Sequence, residues 1–178
     1  FLNNSDLEGE LPSDFVVSAN KFNVIFTGNI SEAQSLNTVI DAAEIIKSRN
    51  FHKINFVIIG SGSKLNDLID YRNSKDLKNV QFTGAYPLED MPQIIKTGDA
   101  LLVSLKSEEI FSLTIPNKLQ SYLASGKPIL GSLNGEGAKA ILEGRCGLAA
   151  EAESAADLAE ITIDLFNLTS EERAQMGR

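Results

Sequence analysis

The chain has 178 residues, 43% of them hydrophobic, enough to bury one core of ordinary domain size without needing a second domain. With 24 acidic against 16 basic side chains the net charge is −8, which excludes a general affinity for nucleic acid or an anionic membrane, so any anionic ligand has to be held locally. One cysteine, Cys146, and one histidine, His52, exclude an internal disulfide and a Cys/His metal cluster and fit a reducing, cytoplasmic setting.

Residues 1–20 are irregular, broken by Asn3-Asn4-Ser5-Asp6, Gly9 and Pro12, and read as a linker remnant; the opening on Phe1 rather than Met is expected of a fragment. Residues 21–178 form the predicted domain. Val24-Ile25-Phe26-Thr27 is a short buried strand closed by Gly28-Asn29, and Leu36, Val39, Ile40 and Ala43 repeat at helical spacing behind it. Ile54 to Ile59 is the next strand, closed by Gly60-Ser61-Gly62, with Leu65, Leu68 and Ile69 marking a second helix. Val80 to Thr83 is a strand ending at Gly84; Leu88 to Thr97 is predicted as one helix closed by Gly98, and Ala100 to Leu105 as a strand.

The stretch Ile110 to Leu130 follows. Pro116 suits a first helical position, the helix is expected over Asn117 to Ser125, Gly126 stops it, and Pro128-Ile129-Leu130 starts a short strand. The N-terminal amides of that helix, with Lys118 in its first turn, form a candidate anion site. A helix near Gly137 to Glu143, a strand at Gly147 to Ala150 and a helix from Ser154 complete the alternation. Ser154/Asp157 and Thr169/Glu172 carry capping spacing, and Leu158, Ile161, Leu165 and Leu168 form the stripe of the penultimate helix. Strands alternating with helices give a doubly wound parallel α/β sheet, Rossmann-like. No apolar run approaches a membrane span, and no basic-then-apolar leader opens the sequence.

In such a sheet the ligand crevice lies beyond the carboxyl ends of the strands, which brings four loops into question: Gly28-Asn29, Gly60-Ser61-Gly62, Gly84-Ala85-Tyr86 and Ser107 to Asn117. Gly60-Ser61-Gly62 lacks the third glycine of the dinucleotide fingerprint and follows the second strand, which argues against nicotinamide binding. Tyr86 either stacks on a base or packs over its loop. His52 reads as a solvated or capping residue, Cys146 as a small buried one, and Glu136 as a helix cap or a ligand for a sugar hydroxyl.

The ordered combination of Phe26 to Gln34, Val57 to Gly62, Val80 to Gly84, Ile115-Pro116-Asn117-Lys118-Leu119 and Ala124 to Ile129 resembles the C-terminal half of family 4 glycosyltransferases of the GT-B fold, nearest the WbuB-like group of bacterial surface-polysaccharide assembly. The resemblance covers almost the whole chain. It implies a nucleotide-sugar donor, usually a UDP-sugar, held as substrate without metal or other cofactor, with a separate N-terminal domain bringing a saccharide or lipid-linked acceptor. By the same resemblance Asn117, Lys118, Gly28 and Asn29 would hold the diphosphate, and Gly60, Ser61, Gly84, Ala85, Tyr86 and Ser121 would surround the nucleoside. It further implies a cytoplasmic enzyme with peripheral membrane association at the inner face through the missing domain.

Two departures stand out. Where many members carry a pair of glutamates eight positions apart, this chain has Leu113 and Ser121; Glu108 and Glu109 lie nearby but out of register, and with Glu136 they are the donor-sugar candidates. The family's basic pair after the first strand is absent from Gly28-Asn29-Ile30-Ser31-Glu32. No residue stands out as the catalytic group. The competing readings are a nucleotide-sugar epimerase, a dinucleotide-dependent oxidoreductase, or a non-catalytic α/β interaction module; an epimerase would want acidic and histidine residues at the cleft, which His52 alone does not supply.

Overall fold

The computed structural model describes residues 10–177. The first nine residues of the predicted linker therefore lie outside the described residues, as does Arg178. Six strands form one parallel sheet: β1 (Phe22–Thr27), β2 (Ile54–Ile59), β3 (Val80–Gly84), β4 (Ala100–Ser104), β5 (Ile129–Ser132) and β6 (Gly147–Ala150). Their order is β3-β2-β1-β4-β5-β6, so the winding reverses between β1 and β4 and opens a crevice at the strand ends there. β1, β2, β4 and β5 are buried along their whole length, which is why they read in sequence as continuous apolar runs rather than as alternation.

Helices α1 (Leu36–Ser48), α2 (Leu65–Ser74), α3 (Met91–Lys96), α4 (Glu109–Ser112), α5 (Asn117–Leu123), α6 (Glu136–Glu143), α7 (Ala155–Asn167) and α8 (Ser170–Met176) fill the connections. On one face Val24, Phe26, Phe56, Ile58, Leu102 and Leu130 pack against α1, α2 and α7. On the other, Ile25, Val57, Ile59, Leu101, Val103 and Ile129 meet Ile94 and Ile95 of α3, Leu119 and Tyr122 of α5 and Ile141 of α6. Alternation along each strand thus supplies two cores from one sheet.

The structure corrects several expected boundaries. The helix predicted over Leu88 to Thr97 is a single 3₁₀ turn, Leu88–Asp90, followed by α3; Pro92 lacks an N–H and fits only the first turn of a helix, so the longer helix cannot run through it. Leu88 is 85% exposed and belongs to no core face. Pro116 caps α5 from outside, in extended backbone, rather than opening it, and α5 ends at Leu123, because Ser125 turns its hydroxyl back onto the Tyr122 carbonyl (2.6 Å) ahead of Gly126. β5 begins at Ile129, since Pro128 has no amide for the ladder; its carbonyl still accepts from the Leu101 amide. In α7 the buried residues are Leu158, Ala159, Thr162, Ile163 and Leu165, with Ile161 half-buried and Leu168 just past the last turn. Ser154 caps α7 through the Asp157 amide, and Thr169/Glu172 form a complete reciprocal box at α8.

Residues 10–20 hold no helix or strand, yet they pack on the domain. Phe15 is 7% exposed and meets the Tyr86 ring edge-on at 5.4 Å, while the Val16 carbonyl accepts from the Gln81 side chain. At the other end, Arg173 of α8 donates to the carbonyls of Leu165, Phe166 and Leu168 and lies over the Phe22 ring, fastening α8 to the end of α7 and the start of β1.

Candidate functional site

Beyond the strand ends, the loops after β1, β2 and β3 are joined backbone to backbone. The Gly28 amide donates to Ile59, that of Ile30 to Ser61, that of Gly60 to Gly84 and that of Lys64 to Ile30, at 2.8 to 3.1 Å. The ladder therefore continues past the sheet, and the loops are as fixed as the strands. Two glycines make this approach possible. Gly60 has φ +146°, and a Cβ there would fall 1.9 Å from the Gly28 carbonyl oxygen; Gly28 has φ +137°, and its Cβ position is 2.9 Å from Lys118 Nζ.

This stitched platform floors two adjoining hollows. One, of about 370 Å³, is lined by Thr27, Gly28, Asn29, Ile59, Gly60, Ser61, Ala85, Tyr86, Leu88 and Met91. The other, of about 540 Å³, shares Thr27, Gly28, Leu88 and Met91 and adds residues of α3, Lys118, Ser121 and Tyr122 of α5, and Ser125 just past its end. Of the sequence candidates, Gly28, Asn29, Gly60, Ser61, Ala85, Tyr86, Lys118 and Ser121 thus come together in one crevice, with Gly84 directly behind it. Asn117 is exposed at the first position of α5 and lines neither hollow.

The donor-sugar candidates stand apart. Glu108 and Glu109 are exposed at the start of α4, and Glu136, the first residue of α6, pairs with Lys139 at 2.8 Å; none lines the crevice. The elements that carry them touch each other: a Cβ on Gly135 would lie 2.0 Å from the Ser112 carbonyl oxygen, so the start of α6 and the end of α4 are in contact.

Lys118 carries the electrostatics of the crevice. Its ammonium sits 3.7 Å over the Phe26 ring centroid and has no carboxylate partner among the described residues. Burial pushes its pKa down to about 8, with no carboxylate to offset the lost hydration. Lys96 of α3 lines the larger hollow with Lys118; away from the two hollows, Glu32 in the loop after β1 takes Lys106 at 2.8 Å and Lys64 at 3.4 Å, and its carboxyl is held below the usual range by both.

Sequence reasoning missed Tyr122. The residue is 1% exposed; its hydroxyl accepts from the Thr27 amide at 3.0 Å and bonds the Thr27 hydroxyl at 3.1 Å. Burial raises its pKa to about 12, so it stays a neutral phenol. The only sequence signal was its spacing from Leu119, which reads as core.

A third hollow, of about 320 Å³, lies at the opposite end of the sheet between Lys21, Lys47, Phe51, His52, Asp76, Lys78 and Asn79; His52 is exposed there, in a turn before β2. Cys146 is buried, with its thiol donating to the Ile141 carbonyl. Among the described residues no group of three or more His, Cys, Asp or Glu is placed to hold a metal ion, and no helix is long and apolar enough to cross a membrane.

Residues 21–167 match the family described as Glycosyl transferases group 1. The chain is 31% identical over 107 residues, 60% of its length, to the putative colanic acid biosynthesis glycosyl transferase WcaI of Escherichia coli strain K12, and 26% identical over 168 residues, 91% of its length, to the D-inositol 3-phosphate glycosyltransferase of Arthrobacter sp. strain FB24. The crystal structure of Anabaena HepE in complex with UDP superposes with a TM-score of 0.74 over 89% of this chain at 19% identity. The chain spans 25% and 38% of those two relatives and 42% of the HepE chain.

Proposed function

The chain belongs to the group 1 glycosyl transferases, and from that membership we propose that it is the donor-binding half of such an enzyme, holding a nucleotide-sugar, a UDP-sugar first, in the crevice over the loops after β1, β2 and β3 beside α5. The observation that carries this reading is the juxtaposition of a cation without a carboxylate partner, Lys118, with the side-chain-free strand ends at Gly28 and Gly60, the first of which its amine lies against. Such a site fits a ligand with a dianionic centre flanked by a flat, weakly polar ring. The UDP complex of the HepE neighbour supports the nucleotide assignment.

In this reading Lys118, Asn117 and the backbone at Gly28 and Asn29 receive the diphosphate. Gly60, Ser61, Gly84, Ala85 and Tyr86 flank the base, Ser121 reaches the ribose, and Glu108, Glu109 and Glu136 border the sugar. When an acceptor hydroxyl attacks the anomeric carbon, the bond to the nucleoside diphosphate breaks and negative charge grows on the departing oxygen. An ammonium already partly desolvated and held in place stabilises that charge with little reorganisation, so the scheme needs no metal. The acceptor, saccharide or lipid-linked, comes from a partner N-terminal domain of a longer enzyme working at the cytoplasmic face of a membrane. The WcaI relative favours surface-polysaccharide assembly, in the WbuB-like group, as the pathway class.

Titration calorimetry of this chain with UDP, ADP, GDP and NAD tests the reading. UDP is expected to bind best. A preference for NAD would favour the dinucleotide-dependent alternative, and no nucleotide binding at all would leave the interaction-module reading in its place.

A further inference from the structure

We propose that Tyr122 is a positioning residue for the crevice: its hydroxyl, engaged with both the amide and the side chain of Thr27, fixes α5 against the end of β1 and so holds the Lys118 amine across Gly28. The inference rests on the reading of the crevice as a diphosphate site.

The geometry begins with an amide that the sheet cannot satisfy. β1 pairs with β4 only through Val24↔Ala100 and Ile25↔Leu101, and the ladder on that side has lapsed by Thr27. Successive amides of a strand point to alternate sides; that of Gly28 turns to Ile59 of β2, so the Thr27 amide faces the β4 side, where Tyr122 meets it. A hydroxyl at this depth is required chemically, because phenylalanine would fill the same volume and leave a buried N–H unpaired.

The consequence passes along the helix. Residues four apart share a helix face, so Lys118 lies one turn below Tyr122 on the side turned to β1. The strand end then engages that helix at three consecutive residues: Thr27 bonds Tyr122, the Gly28 Cβ position is 2.9 Å from Nζ, and the ammonium reaches the ring of Phe26, which belongs to the core on the other side of the sheet, at 3.7 Å. Anchoring Tyr122 sets the height of Lys118 along the strand. Without the anchor the long lysine side chain would regain water and rotamers, and diphosphate binding would have to order it again.

The test uses this chain with Tyr122→Phe, Thr27→Val and Thr27→Ser, and reads two things: the NMR titration of the Lys118 side chain without nucleotide, assigned by its loss in Lys118→Ala, and calorimetric affinities for UDP and uridine. In Tyr122→Phe the Lys118 titration is expected to rise toward the ordinary lysine range and UDP to bind about five- to tenfold more weakly, with uridine nearly unchanged. Thr27→Ser should behave as the wild type and Thr27→Val should fall between. A packing role alone would lower the melting temperature while leaving the Lys118 titration and the UDP-to-uridine ratio where they were, and that result overturns the proposal. Should Tyr122→Phe not fold, Thr27→Val, which keeps the phenol on the amide, decides on the same readouts. If the wild-type chain binds no UDP, the donor-site reading fails, while the Lys118 titration still decides the role of Tyr122.

Discussion

A lysine that loses water without gaining a counter-ion is costly in the free protein, and the cost is recovered only when an anion arrives. Lys118→Ala is therefore expected to weaken UDP by about ten- to a hundredfold, the range of a charge-assisted bond to phosphate, while uridine affinity hardly changes. Lys127, at the far end of α5, is the matched control, and calorimetry on both variants checks it; equal losses would place the phosphate elsewhere. The pH dependence follows from the same side chain. Its pKa is about 8 in the nucleotide-free chain, set by burial, and a bound diphosphate raises it. UDP binding should then take up a proton at alkaline pH, and affinity should fall above about pH 8, approaching tenfold per pH unit, a slope Lys118→Ala abolishes. Folding runs the other way: a depressed lysine binds fewer protons folded than unfolded between about 8 and the ordinary 10.5, so the stability of the nucleotide-free chain should rise with pH across that window.

Among the elements, the loops after β1, β2 and β3 behave as extensions of the sheet. Gly60→Ala would set a methyl 1.9 Å from the Gly28 carbonyl at a φ that alanine resists, and is expected to destabilise by about 2–3 kcal/mol in denaturant unfolding while also weakening UDP. Arg173→Ala should cost about 1–2 kcal/mol by releasing α8 from the carbonyls at the end of α7, with UDP affinity intact, since that contact lies away from the crevice. How far these elements could be read from sequence follows from their physics. Strands such as Ile54–Ile59 announce themselves because a doubly covered strand is apolar throughout, and the Thr169/Glu172 box because capping is local. The split at Pro92 was also local in origin, yet the flanking Leu88, Ile94 and Ile95 imitate one apolar face. Tyr122 was illegible: its value lies in meeting Thr27, 95 positions away, and spacing cannot say which buried aromatic keeps a hydroxyl busy. The glycine loops were found as candidates, but that they share one platform with Lys118 depends on strand order, which no single segment encodes.

At the scale of the whole molecule, the side of the sheet that carries the crevice also leaves large apolar side chains uncovered. Ile110 and Leu113 are 66% and 68% exposed and Ile115 is 48%, all between β4 and α5, with Phe111 half-buried beside them. If that surface meets an acceptor-bearing domain, Ile110→Glu with Leu113→Glu should leave the melting temperature and UDP affinity of this chain unchanged but lower sugar transfer by the full-length enzyme; a loss of stability in the isolated chain would assign those residues to its own fold instead. The chain alone is expected to bind UDP without transferring sugar, which a donor-hydrolysis and transfer assay checks. The aromatic inventory has an optical consequence. There is no tryptophan, and of three tyrosines Tyr86 and Tyr122 line the crevice, leaving only Tyr71 elsewhere, on α2 beside Asp41. Near-ultraviolet dichroism and phenol emission therefore come mostly from the crevice walls, and the native chain is its own spectroscopic reporter of occupancy, with no label to attach and Tyr71→Phe as the substitution that removes the background.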